Sequence, residues 1–164
     1  MVLDEQSYRD ILAGYPAGVT VVTATDRQGM DYGLTVSSFC SVSLRPPLIL
    51  VCIDKGANTL PAIQESGCFT VNILSTSGEG TAMRFASKDR DKFEEMDPES
   101  LHRARTGPVL NADTTAYLSC DVEQEVEAGD HIVFIGRVVD AHVIAPIEPL
   151  VYCSRAFREL LPKG

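Results

Sequence analysis

Three short stretches of the chain carry side chains whose types and spacing suit chemistry. The first, GLTVSSFCSVSLRPP at 33–47, gathers the hydroxyls of Thr35, Ser37, Ser38, Ser41 and Ser43 around Phe39. Read at period two, Thr35, Ser37, Ser41 and Ser43 share one strand face and Val36, Cys40, Val42 and Leu44 the other. Ser38 breaks that pattern, so a bend is expected between Ser37 and Phe39. A solvated strand face accounts for these hydroxyls, and so does a loop that a flat ligand approaches closely. The second stretch is DKGANT at 54–59, where an apolar strand ends and a helix is expected to begin near Thr59. A helix start offers unpaired N–H groups and partial positive charge, and Lys55 adds a full charge, which suits a phosphate; ordinary capping is the other reading. The third is GDH at 129–131, where His131 opens a strand after a tight turn and either faces a pocket or sits as a surface or satisfied core residue. No Ser or Cys stands at triad spacing to any histidine, so nucleophilic catalysis is unsupported.

The elements that would position these stretches are mostly strands. Asp4 is a candidate N-cap for an amphipathic helix with Tyr8, Ile11, Leu12 and Tyr15 at helical spacing, expected to pack on another element. GVTVVTATD and the segment Tyr32 to Ser37 read as a hairpin turned at Gly29. LILVCID and CFTVNIL are apolar runs of strand length, expected to be covered on both faces. Between them Asn58 or Thr59 caps a short helix that ends at Gly67. GEGTAMRFASKDRDKFEEM reads as one or two helical pieces, and Pro98 to Asp113 as a loop. A second hairpin follows, TTAYLSCDVEQEV with HIVFIGRVVDAHV, with Ala116, Leu118, Cys120 and Val122 on one face; PLVYC is a short closing strand. Six or seven antiparallel strands with short helices point to a barrel or sandwich. Regular strand-helix alternation, a GxGxxG fingerprint and a P-loop are all lacking.

Composition narrows the class. At 164 residues, 45% hydrophobic and 23% charged, the chain reads as one soluble domain over 1–164. Its net charge of −9 argues against nucleic acid and anionic membranes, and the densest basic groupings, near Lys88 to Lys92 and His102 to Arg105, lie among acids. Five scattered cysteines form no CxxC pair or Cys-His spacing, so no metal site is signalled and the thiols are expected to be reduced and mostly buried. No basic leader with an apolar run opens the chain, and no apolar stretch approaches the ~18 residues of a membrane span, so the cytoplasm is the expected compartment.

Taken together, AGVTVVTA, GLTVSSFCSVSLRPPLILVCIDK, ANTLPAIQESGCFTVNIL, RFASKDRDKF and GDHIVFIGRV, in this order and spacing, closely resemble the short-chain NAD(P)H:flavin oxidoreductases that serve two-component flavin monooxygenases. The resemblance runs from Tyr8 to Phe157. It implies a mainly β, antiparallel, Greek-key-like FMN-binding split barrel with short peripheral helices, usually a homodimer with flavin near the subunit interface. By this similarity Leu34, Thr35, Val36, Ser37 and Ser38 would line the isoalloxazine ring of FAD or FMN. Lys55, Ala57, Asn58 and Thr59 would hold the flavin phosphate, and Arg84 and Phe85 would lie near the phosphate or the adenine of FAD. His131, Tyr152, Arg155 and Phe157 would approach the nicotinamide of NADH or NADPH. The family often carries a pattern like Y-x-x-G-x-Y where this chain has YCSRAF, with Arg155 at the glycine position and Phe157 at the second tyrosine. The implied activity is NAD(P)H-dependent reduction of flavin, delivered by diffusion to a separate monooxygenase, with no catalytic side chain of its own. A non-catalytic flavin-binding protein and a split-barrel oxidase of another small substrate are the alternatives.

Overall fold

The structure is a computed structural model describing residues 4–89, 91–94 and 96–160. Helix α1 (Glu5–Ala13) is capped by Asp4, whose carboxylate accepts the Ser7 amide at 2.9 Å. Strands β1 (Ala17–Gly18), β2 (Thr20–Thr25), β3 (Asp31–Val36), β4 (Phe39–Leu44) and β5 (Pro47–Asp54) follow. Next come α2 (Thr59–Ser66), β6 (Cys68–Leu74) and α3 (Glu79–Ala86). The chain then forms β7 (Leu101–Ala104), β8 (Gly107–Leu110), β9 (Thr114–Ala128), β10 (His131–Val143), β11 (Val151–Cys153) and β12 (Ala156–Arg158).

Seven strands make one antiparallel sheet in the order β3-β2-β6-β9-β10-β5-β4. Its first and last strands, β3 and β4, are consecutive in the chain and joined only by Ser37 and Ser38. The sheet therefore curls until its two edges meet at that bend, which yields the expected split barrel. Backbone and side chain of Ser38 both contact the Cys52 amide, at 3.3 Å each, and so fasten the bend to β5.

Strand β2 explains the two cores. Val22 and Ala24 point into the barrel with Val36, Val51, Ile53, Phe69, Val71 and Phe134, while Val19 and Val21 point outward to Leu74, Ala82, Phe85, Leu110 and Leu150. The period-two alternation of this buried Val- and Thr-rich strand thus serves two layers at once. Helix α2 plugs the barrel with Leu60, Ala62 and Ile63, and each large side chain so buried contributes about 1.5–3 kcal/mol. Gly67 ends that helix in the left-handed region at φ 67°.

Several expectations need correction. The segment read as a loop contains the β7–β8 hairpin, held by buried polar groups: Asn72 Nδ2 donates to Val21 O at 3.1 Å, and its Oδ1 accepts the Leu110 amide at 3.0 Å. Pro108 and the four-residue strands hide that hairpin from pattern reading. Gly107, at φ +145°, passes so close to β2 that a Cβ would lie 2.9 Å from Thr23 O. Among the described residues nothing covers the apolar stripe of α1, and Tyr8, Ile11, Leu12 and Tyr15 are all exposed. On β5, Ile49, Val51 and Ile53 are buried, but Leu48, Leu50 and Cys52 on the other face are only half-buried. Of the five cysteines Cys120 alone is buried, where desolvation pushes its thiol up to about 12; Cys40 is exposed and the others intermediate. Among the described residues no helix is long and apolar enough to cross a membrane.

Candidate functional site

A cleft of about 610 Å³ opens beside the bend, and three walls form it. Gly33, Leu34 and Thr35 of β3 make the first. Asp54 and Gly56 to Thr59, the turn from β5 into α2, make the second. Phe85 to Lys88 at the end of α3, with Lys92, make the third.

The first and third walls are tied together. The Thr35 hydroxyl donates to Ala82 O at 2.6 Å, and the Lys92 ammonium donates to Gly33 O at 3.1 Å and Phe85 O at 2.9 Å. Burial pushes the Lys92 ammonium below its ordinary pKa, opposed by the nearby Asp89 carboxylate. Gly33 is the position where backbone must come closest, since a Cβ there would lie 2.6 Å from the Phe85 ring. Phe85 is itself 1% exposed and meets Phe93 edge-on at 5.1 Å. Its ring is floor and core, with no free face for an adenine.

In the second wall Asp54, Gly56 and Asn58 are exposed and Thr59 is buried. Asp54 Oδ1 accepts the Gly56 amide at 2.6 Å and Asp54 O accepts the Ala57 amide at 3.0 Å, which folds the turn before α2. Asn58 occupies the cap position without using its side chain to cap. Lys55 anchors its amide on Asp130 O at 3.0 Å and pairs its ammonium with Glu127 at the far end of β9, and that contact holds the Glu127 carboxyl below its ordinary pKa.

The residues singled out from the sequence are thus distributed unevenly. Leu34, Thr35, Ala57, Asn58, Thr59 and Phe85 line the cleft. Ser37 and Ser38 stand exposed at the bend beyond it, whereas Val36, 4% exposed, faces the barrel interior. Lys55 lines an adjoining cleft, and Arg84 is half-buried with its guanidinium donating to Lys92 O at 3.4 Å. His131 lies across from Asp54 in the β10–β5 register, its Nδ1 2.8 Å from Asp130 Oδ1, which lowers the Asp130 pKa. Tyr152 and Phe157 belong to another sheet, β1-β11-β12, with Arg155 in the turn between β11 and β12, and none of the three lines the cleft. There the Phe157 ring packs on the outer core and against Tyr152 at 5.3 Å, and Arg155, at φ 60°, pairs with Asp10 of α1. Lys92 was not singled out from the sequence, and its place in a charge-mixed run gave no sign of its two carbonyl partners.

Residues 12–161 match the sequence profile of the flavin reductase like domain. The chain belongs to the flavin reductase family. This flavin reductase family member is 42% identical over 160 residues to the actinorhodin polyketide dimerase of Streptomyces coelicolor, across 98% of this chain and 89% of that one. It is 40% identical over 159 residues to the flavin reductase (NADH) of Kitasatospora aureofaciens, across 95% and 82% of the two chains. Its backbone follows that of an NADH:FAD oxidoreductase of Streptomyces globisporus solved in complex with NAD and FAD fragments, with a TM-score of 0.89 at 30% identity over 100% of this chain and 99% of that one.

Proposed function

We propose that this flavin reductase family member reduces FMN or FAD with NADH or NADPH and releases the reduced flavin to a separate flavin-dependent monooxygenase. The observation that carries the reading is the three-walled cleft. Its volume is within the range of ligand sites, and one wall is bare strand backbone at Gly33. Another is a helix start with Asn58 uncapped, beside Lys55. A flat ring fits the first and a phosphate the second.

Acceptance of hydride from a reduced nicotinamide is chemistry that the flavin ring supplies when bound. The chain's own residues align and hold. Leu34 to Ser38 present backbone to the ring, Thr35 and Ser38 spend their hydroxyls on fixing that backbone, and Ser37 keeps an exposed hydroxyl. Lys55, Ala57, Asn58 and Thr59 take the phosphate. Glu127 competes for the Lys55 ammonium, which suits a flavin that must leave. Arg84 braces the third wall through Lys92 O. For the nicotinamide we retain His131, beside the phosphate turn, and Tyr152, Arg155 and Phe157 of the hairpin.

We place the protein in the cytoplasm as a homodimer. Its five free thiols fit a reducing compartment. Exposed apolar side chains on α1 and β4, and at Val139, Val143, Ile144 and Ile147, supply surface that a second copy would cover. Following absorbance at 340 nm with each nicotinamide and each flavin tests the activity; no nicotinamide oxidation with any pair would sink it. His131→Ala should raise KM for the nicotinamide nucleotide more than KM for flavin, and equal rises would make His131 structural.

A further inference from the structure

The end of the β9–β10 hairpin carries carboxylates where the pattern of β9 calls for apolar side chains. Cys120 and Val122 face the inner core. Past the register shift at Ile135 and Gly136 the same row continues as Glu125 and Glu127, opposite the core residues Phe134 and Ile132 of β10. Both carboxylates find partners beside the start of α2: Glu125 accepts from the Gln64 amide, and Glu127 pairs with Lys55.

This hairpin end therefore grips Lys55 twice. Its amide donates to Asp130 O at 3.0 Å, and its ammonium is held by Glu127, whose side chain is 75% exposed. The other acids at the corner are engaged locally. Asp54 Oδ1 accepts the Gly56 amide at 2.6 Å, and Asp130 Oδ1 lies 2.8 Å from His131 Nδ1. Glu127 is thus the carboxylate that meets the ammonium. An anion arriving at the turn before α2 finds a lysine whose charge is already matched, and it must share or displace Glu127. Exposed pairs of this kind are weak, so the competition lowers affinity by a modest factor and does not abolish binding.

We propose that Glu127 is a positioning residue that speeds the departure of flavin by drawing the Lys55 ammonium away from the flavin phosphate. The proposal rests on the flavin reading above, with Lys55 at the phosphate. Reduction of the ring leaves the phosphate charge unchanged, so oxidised FMN reports the same contact without turnover.

Fluorescence titration with FMN at low ionic strength, and the rate of FMN release on dilution, test it on the purified protein. Glu127→Gln, an exposed change, should tighten FMN binding about threefold, with the gain in slower release. Glu125→Gln removes the same charge from the same row and should leave both values unchanged. Lys55→Met should weaken FMN and erase the gain of a second Glu127→Gln substitution. Unchanged or weaker binding in Glu127→Gln would overturn the proposal, the second case because Glu127 would then be aiming Lys55 at the phosphate. An equal gain in Glu125→Gln, a gain that survives Lys55→Met, or a gain carried by faster association alone would overturn it too. If the native protein binds no flavin, the functional reading falls; if it binds flavin and Glu127→Gln matches it, that reading stands and the role of Glu127 alone is lost.

Discussion

The cleft walls and the β11–β12 hairpin are held in opposite ways. Around the cleft, polar side chains close on backbone carbonyls of neighbouring elements: Thr35 on Ala82 and Lys92 on Gly33 and Phe85 between β3 and α3, and Ser38 on Cys52 between the bend and β5. The hairpin leans instead on α1, through Ser154 N to Ala13 O at 2.6 Å and the exposed Arg155–Asp10 pair. Beside it the apolar stripe of α1 lies in solvent. The first arrangement fixes geometry through bonds between neighbouring elements; the second leaves an apolar surface exposed beside it. Changes at the cleft should therefore cost stability and flavin binding together, and changes at the hairpin should cost little stability.

Gly33→Ala should have the largest effect. The new methyl would meet the Phe85 ring, which is itself fully packed, so overpacking of about 1–3 kcal/mol is expected, with weaker flavin binding. Urea unfolding and flavin titration measure the two, and an unchanged midpoint would show that α3 is not tightly held. Thr35→Val comes next, at about 1 kcal/mol for one hydroxyl bond to a carbonyl. Its flavin affinity should fall further than that if the bond positions the ring-facing backbone.

Lys92→Met sharpens the same point through pH. Burial lowers the Lys92 pKa in the folded protein below its unfolded value, so between those two values the unfolded chain binds more protons. Stability owed to Lys92 must then rise as pH climbs through that window, and a neutral amine still has the two N–H groups that Gly33 O and Phe85 O accept. The gap in unfolding free energy between the native protein and Lys92→Met should widen toward alkaline pH. A constant gap would place the ammonium in solvent.

The same contrast governs what could be read from the chain. The bend at Ser37 to Phe39, the long β9–β10 hairpin and the cap at Asp4 are local, set by alternation and turn chemistry, and they stand where the pattern put them. The hydroxyls of Thr35 and Ser38 were legible as residues near the site, but their use was not. Thr35 meets Ala82 across 47 positions, and no spacing rule reaches that far. The β7–β8 hairpin was missed for a similar reason, because its anchor is Asn72, a polar residue inside an apolar strand. The apolar stripe of α1 was legible in the sequence, but the expectation that it packs on another element is not met among the described residues.

Arg155→Gly should have the smallest effect, and it probes the hairpin side alone. Ser154 and Arg155 both hold positive φ, at 53° and 60°, as the two-residue turn between β11 and β12 requires. A side chain is disfavoured in that region and glycine is not, so the substitution relieves backbone strain. It also removes the pair with Asp10, which keeps that carboxyl below its ordinary pKa. Exposed pairs contribute little and are screened by salt. The two changes oppose each other, and the net shift in unfolding midpoint should be smaller than that of Thr35→Val and should turn upward as salt is added. Thermal unfolding at low and high salt decides it: a large loss at both would mean that the Arg155–Asp10 contact holds α1 in place, and that the hairpin is as tightly built as the cleft.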